Sequence, residues 1–436
     1  MSAARRRPAP HEYTDDQWDA LQWVSLEYYY HQTNRVNGLV ADKSMKGSPC
    51  SITAVGMALA TAPLVAERGF LPRIEVARRV LTKLRFFRDS PQGPEPDATG
   101  YKGFYYHFLD MQTGRRVWQC ELSTIDSAFL LAGMLTAAVY FDRDTEDEAE
   151  IRALVDALYR RADWRWAMNG GPSVTHGWRP ESGFIPYRWT GYDEALLLYL
   201  LGLGSPTYPL PEESFAAYTS TYVWKKIYDI ELLYCGPLFT HQLSHIWVDF
   251  RGIQDAFMRD RGIDYFENSR RATYVQQLYA IHNPMEFEGY SRHCWGITAS
   301  DGPGWGTRKV RGVERRYFDY VARGAPYGPD DGTIAPWAVV ASLPFAPEIV
   351  RPTIAHFENM NWGMSEEFGF RASFNRGFPV DGSDYGWVSP YRFGLDQGPI
   401  ALMIANYRTG LIWELMRRCP YIITGLRRAG FRGGWL

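Results

Sequence analysis

The feature that most constrains this chain is a recurring unit: a capping residue, a helical apolar pattern and a stop signal. Thr14 precedes Asp15, Asp16 and a pattern that runs to about Gln32. A hydroxyl there accepts an unpaired amide, and the two carboxylates meet the positive helix end. Ser48-Pro49 reads as an N-cap followed by proline at the first helical position, opening a helix over 52–67 that Gly69 ends. Pro72 opens another to about Phe87, Ser123 precedes TIDSAFLLAGMLTAAVYF, and Thr145 caps a charged helix over 146–161. The same periodicity predicts helices at 192–201, 211–220, 238–259, 265–282, 336–343, 346–360 and 399–418. About twelve helices result.

Several of these are apolar nearly all round. The run ITAVGMALATAPLVA at 52–66 is the clearest, and it is shorter than the roughly 18 residues a membrane span needs. It reads as a helix buried on two sides, which a ring of paired helices provides for its inner set. No low-complexity linker, charge block or fixed repeat period divides the chain. The expectation is a flexible tail at 1–13 and one domain at 14–436, an all-α toroid. It carries a small hairpin near 104–109 with a turn at Gln112-Thr113-Gly114. The segments 88–103, 164–190, 283–335 and 361–396 read as long loops rich in Gly, Trp and Tyr, the kind that carries function.

Composition narrows the partners. The net charge is −2, so no basic field exists to hold a phosphate backbone, and nucleic acid is excluded as a default partner. Five cysteines never form a CxxC pair, so neither a disulfide scaffold nor a thiolate metal site is indicated. Aromatic residues make up 15% of the chain, with 16 Trp and 28 Tyr among them. Such rings offer flat faces with polar edges and suit stacking on sugars. The N-terminus MSAARRRPAPHEYTDDQW lacks the apolar segment of a secretory leader, so a cytoplasmic location is the expectation.

No GxSxG elbow or P-loop is present, and Pro303 and Trp305 in Gly302–Gly306 would obstruct a phosphate cradle. His241 and His245 stand at i, i+4, with Asp249 continuing that face. The spacing could hold a metal, but packing, hydrogen bonding or sugar-hydroxyl recognition is favoured. Carboxylates at helix starts are the richer signal: Glu194 after Trp189-Thr-Gly-Tyr192-Asp193, Asp396 before Gln397-Gly398-Pro399, and Glu121 with Asp126. Asp301 lies in Ser-Asp-Gly-Pro. Each alone is a favourable partner for a helix end. In a toroid, however, the inner helix starts gather at one rim, and their carboxylates converge there. Glycoside hydrolysis requires such a pair, one carboxyl protonated and one ionised.

The strings ELSTIDSAFLLAGML at 121–135, HGWRPESGFIPYRWTGYDEALLLYLLGLGSPTYPLP at 176–211 and GPLFTHQLSHIWVDFRGIQD at 236–255 carry a family resemblance. So do DYFENSRRAT at 264–273, WGITASDGP at 295–303, DDGTIAPWA at 330–338, LDQGPIALMIANYRTGLIWELMRR at 395–418 and the closing GLRRAGFRGGWL. Together they resemble the bacterial glucoamylase-like family. That family is related to glycoside hydrolase family 144 of endo-β-1,2-glucanases and to the hydrolase-like domain of cyclic β-1,2-glucan synthases. The resemblance implies an (α/α)6 barrel acting on β-1,2-linked glucose without metal or other cofactor. It places the general acid on Glu194 and the base of an inverting mechanism on Asp396. Relatives are often periplasmic or secreted.

The resulting expectation is a hydrolase of β-linked glucan or gluco-oligosaccharide, most of all β-1,2-glucan. Glu121, Asp126 and Asp301 would bind substrate or tune acidity. Trp189, Tyr192, Trp295 and Trp305 would stack on sugar rings, and His241, His245, Arg270 and Arg323 would meet hydroxyls. Ala405 and Ala372 stand where relatives often carry acids, at positions expected near the sugar subsites. A retaining transglycosylase and a non-catalytic oligosaccharide-binding protein are the alternatives.

Overall fold

Capping chemistry sets where the helices begin. A computed structural model describes residues 13–360, 367–383 and 385–436. The expected tail at 1–13 lies outside these residues except for Tyr13, and so does part of the 361–396 loop. In α1 (Asp15–His31), Thr14 and Gln17 form a reciprocal capping box. Helix α2 (Ile52–Glu67) starts later than Ser48-Pro49 suggests, because Ser51 is the residue whose hydroxyl accepts from Ala54 N–H. After α3 (Arg73–Asp89), α4 (Thr124–Tyr140) is capped by Ser123 and α5 (Glu146–Arg161) by Thr145, as the sequence predicts.

Next come α6 (Trp164–Ala167), α7 (Leu196–Gly204) and α8 (Glu213–Thr219). The helix predicted over 238–259 is broken. A 3₁₀ turn at Leu238–His241 is followed by α9 (Leu243–Trp247) and then α10 (Ala256–Arg261). At the first break Gln242 leaves helical φ, and its side chain donates to Ala338 O and Ser342 Oγ. Helices α11 (Tyr265–His282), α12 (Pro336–Ala341) and α13 (Pro347–Asn359) match their predictions within a few residues. The helix predicted over 399–418 is α14 (Gly394–Thr409) and α15 (Leu411–Met416), divided by Gly410 at φ 68°. The sequence reading missed α16 (Pro420–Arg428).

Two sets of helices emerge from the packing. Helix α2 lies against α4 and α14, α4 against α7, and α14 against α12 and α9. Ser244 of α9 accepts from Leu197 N–H of α7 through its hydroxyl, and Gln242 ties the start of α9 to α12. On the outside, α3 lies on α5, α1 on α14, α16 on α7 and α13 on α12. Helices α2 and α4 cross at glycines. A Cβ on Gly133 would lie 2.0 Å from Gly56 O, and one on Gly56 would lie 2.6 Å from Phe129 O. That contact sets the starts of α2 and α4 side by side.

The fold is helix-rich but not purely helical. A five-stranded antiparallel sheet joins Gly100–Tyr101, Phe104–Tyr106, Leu122–Ser123, Gly177–Arg179 and Gly183–Phe184. It ties the 88–103 and 164–190 segments to the strand that leads into α4. The expected hairpin at 104–109 is divided between this sheet and a second pairing, Cys50–Ser51 with Phe108–Leu109. The turn at 110–114 does close, with Gly114 N–H donating to Asp110 O. Further two-stranded units occupy the 283–335 loop, including Gly306–Val310 with Val313–Tyr317. Among the described residues, no helix is long and apolar enough to cross a membrane.

Candidate active site

The first helical turns hold the carboxylates. Asp126 sits in the first turn of α4, where the Ser123 hydroxyl accepts its N–H at 3.2 Å and donates to its Oδ2 at 2.5 Å. Thr53, in the first turn of α2, donates to Asp126 Oδ1 at 2.6 Å. His107, between two strands, places Nδ1 2.9 Å from Glu121 Oε1 and Nε2 3.5 Å from Asp126 Oδ1. Burial opposes charge on this imidazole, but Asp126, Glu121 and Asp42 outweigh it and raise its pKa to about 9. Burial likewise works against the Glu121 carboxylate, yet His107 and Arg179 hold it below the usual range. Among the described residues, His107, Glu121 and Asp126 have the spacing to hold a metal ion. The protonated imidazole already satisfies both acids as an ion-pair network, and a ligand must first lose that proton.

Glu194 precedes α7. Its carbonyl accepts from Ser244 Oγ, and Ala195 N–H donates to Asp193 Oδ1, which turns the Asp193 carboxyl toward Tyr218. Glu194 is partly exposed, yet burial raises its pKa to about 7, helped by the Asp126 charge. Asp396, in the first turn of α14, is 6% exposed. Burial, then Asp42 and Asp301, push its carboxyl well above the ordinary range. Burial also raises Asp42, to about 6, with Asp126 and Asp301 adding to the effect. The segments bearing Asp42 and Asp396 are knitted together: Gly394 N–H donates to Asp42 O at 2.7 Å, and Ser44 N–H to Arg392 O. Asp301 accepts from Ser389 Oγ at 2.7 Å. Tyr320 is half exposed as a residue, but local desolvation at its phenol and the charges of Asp396, Asp42, Asp126 and Asp301 all raise its pKa. Electrostatically, Glu194 is thus linked to Asp126, Asp396 to Asp42 and Asp301, and Tyr320 to the last four.

Carboxyls that favour the proton beside other acids, one partly exposed and one buried, have the acidity that proton donation and acceptance near neutrality require. Residues 186–420 match the Glycoamylase family model, described as "Putative glucoamylase". This chain belongs to the Glycoamylase family. The "putative glucoamylase" structure from Bacteroides uniformis is 30% identical, with a TM-score of 0.85 over 97% of this chain and 99% of that one. The exo β-1,2-glucooligosaccharide sophorohydrolase (non-reducing end) of Parabacteroides distasonis is 27% identical over 95% of this chain. The chain spans 58% of that relative's length. The endo-β-1,2-glucanase of Chitinophaga pinensis, at 24% identity and a TM-score of 0.84, shares the fold over 97% of this chain.

In this family member, the structure ties Glu121 and Asp126 through His107, sets Glu194 in the field of Asp126, and sets Asp396 in the field of Asp301. It places the other candidates differently. Trp295 is fully buried, with its indole N–H on Thr353 Oγ1, and has no face for a sugar. Arg323 is fully buried and paired with Asp331 at 2.7 Å; it also donates to Ser300 O, Phe318 O and Asp319 O. It therefore braces the segments bearing Asp301 and Tyr320, and its donors are spent within the protein. Burial depresses His241 to about 4 and His245 to about 3. These neutral rings meet Cys235 O and Ser269 Oγ, and Asp249 is committed to Arg251.

Tyr192, 6% exposed, packs among His241, Tyr222 and Tyr265. Trp189, 8% exposed, bonds Thr124 and stacks on His176 at 3.9 Å. Both back the site without an open face. Arg270 pairs with Glu348 and with Phe345 O, away from the carboxylates. Trp305 is open to solvent against Phe318. Ala405 packs with Leu26, Leu64 and Ala401, about 2.5 helical turns beyond Asp396. It is remote from the helix start, so the missing acid there leaves the carboxylate group unaltered. Ala372 is buried, its N–H on Tyr391 O.

Sequence reasoning missed Asp42, His107, Asp193 and Tyr320. Asp42 and Tyr320 lie in irregular segments, Asp193 stands beside the more conspicuous Glu194, and His107 hides in the aromatic strand pattern YYHFL. Trp118 was also missed. It is exposed, it and Gln119 both have positive φ, and it packs on Phe108, which stacks on His107. Two consecutive non-glycine residues with positive φ were a signal only the backbone could give.

Proposed function

We propose that this chain hydrolyses β-1,2-linked glucan or gluco-oligosaccharide, with Glu194 as general acid and Asp396 as general base of an inverting reaction. The observation that carries the reading is the placement of Glu194, a partly exposed carboxyl just before α7, where burial and the Asp126 charge both favour its protonated form. An acid so tuned can give its proton to the departing glycosidic oxygen near neutrality. Asp396 would take the proton of the attacking water, directly or through a substrate hydroxyl. Its ionisation is opposed by Asp42 and Asp301, so a bound hydroxyl donating to it would favour the base form.

The substrate class is supported by the named activities of the Parabacteroides distasonis and Chitinophaga pinensis proteins, which act on β-1,2-linked glucose. Helices α2, α4, α7, α9, α12 and α14 would form the inner ring of an (α/α)6 toroid, with α1, α3, α5, α11, α13 and α16 outside. Their chain of contacts supports that reading.

The test is incubation with sophoro-oligosaccharides and β-1,2-glucan, with product anomers followed by NMR. Wild type should release inverted products, and Glu194→Gln should cut turnover by at least ~10²-fold while oligosaccharide binding persists. Net retention with transfer products would reassign the reaction as transglycosylation. Binding without any product would make the chain a carbohydrate-binding protein.

A further inference from the structure

Outside the carboxylate site, the first three helices enclose a cavity of about 320 Å³. That lies within the ~300–1,000 Å³ range of small-molecule sites. Its wall is apolar: Leu26 from α1, Val65 from α2, Phe70 from the following turn and Val80 from α3. None of the carboxylates of the candidate active site lines it. An adjoining hollow of about 200 Å³ shares Tyr29, Tyr30, Arg79 and Lys83 with it.

Lys83 lines both this cavity and the adjoining hollow. Its side chain is carried by α3, and the residue is 8% exposed. It has no hydrogen bond or ion pair among the described residues. A buried ammonium is ordinarily paired, because taking a charge out of water costs several kcal/mol unless a partner compensates. Neighbouring Arg79 makes the position more positive still. Arg79 is held by Glu75 at 2.6 Å and lies over the Tyr30 ring. Burial first, then Arg79, lowers Lys83 to about 8, which leaves it mostly a cation at neutral pH. The other titratable residues lining the cavity are Glu27, Tyr29, Tyr30 and His31. No carboxylate is among the charges acting on Lys83.

A largely apolar chamber whose wall includes one unpaired ammonium selects a ligand with an apolar body and one anionic head. We propose that this cavity binds an amphiphilic carboxylate, its body against Leu26, Val65 and Phe70 and its head on Lys83 Nζ. Such a ligand supplies the missing counter-charge and displaces water from the apolar wall in one event. The site is independent of the glucan reading. The cavity also touches Tyr29, whose hydroxyl donates to Gly394 O at 2.6 Å, two residues before Asp396.

The experiment is calorimetric titration of the purified full chain with decanoate, decanol and acetate, each below any micelle concentration. Decanoate should bind saturably at one site, decanol at least tenfold more weakly, and acetate without measurable heat. Lys83→Met should lose at least tenfold in decanoate affinity and leave decanol unchanged. Val65→Trp, which fills the chamber without touching Lys83, should abolish binding of both and serves if Lys83→Met fails to fold. The proposal is overturned if wild type shows no saturable decanoate binding, or if decanol binds as well as decanoate. It is equally overturned if either folded variant binds decanoate as wild type does.

Discussion

His107 Nδ1 lies 2.9 Å from Glu121 Oε1, and its other nitrogen faces Asp126 at 3.5 Å, so one imidazole serves two acids of the same rim. Its pKa is raised from 6.5 to about 9. The folded state therefore binds this proton more tightly than the unfolded chain. The stabilisation is fully present below pH 6.5 and is lost as pH rises through 9. His107→Gln should flatten the fall in melting temperature between those limits. A variant that keeps the wild-type slope would show that the pair contributes nothing to folding.

The alkaline limb of activity follows from Glu194. As the proton donor it works in the protonated form, and its raised pKa of about 7 keeps that form present at neutrality. Activity should fall as pH rises through 7. Asp126→Asn removes the like charge beside Glu194, which lowers its pKa, and the limb should move to lower pH. A pH profile of kcat/KM for both proteins measures the shift. An unmoved limb would separate Asp126 from the acid.

Asp42 governs the opposite limb. It is a major charge opposing ionisation of Asp396, after burial itself. Asp396 must be ionised to act as base, so activity is lost as pH falls through its pKa. Asp42→Asn makes the carboxylate easier to form, and the acid limb should move to lower pH with the alkaline limb fixed. Movement of both limbs together would mean that the variant changed the whole rim.

Much of this was legible in the chain because helix starts obey local rules. Thr14, Ser123 and Thr145 cap where their chemistry says they must, and Asp126 and Asp396 fall in first turns because carboxylates favour that end. The apolar run at 52–66 announced an inner helix, and α2 is buried along most of its length. What failed depended on contacts distant in sequence. His241 and His245 stand four apart, but Gln242 turns its side chain to α12 and breaks the helix between them. Trp295 and Arg323 look like sugar-binding residues by type; only the fold reveals that Thr353 and Asp331 already occupy them. Tyr320 and Asp42 come from irregular segments whose positions are set by pairing with other loops, and periodicity says nothing of those.

Arg323 provides the sharpest test of how the site is held. Its guanidinium is fully buried against Asp331 and also grips Ser300 O, Phe318 O and Asp319 O. Those carbonyls flank Asp301 and Tyr320, so one side chain fixes one of the carboxylates and the tyrosine that feels their charges. Arg323→Met leaves the Asp331 carboxylate buried without its partner, which should cost about 3–5 kcal/mol in urea denaturation. Pairing it with Asp331→Asn removes the stranded charge, so the double variant should be more stable than the Arg323→Met protein. Turnover should remain low in the double variant, because the grip on the Asp301 and Tyr320 segments is still missing. Full activity in a stable double variant would show that those segments hold their positions without Arg323.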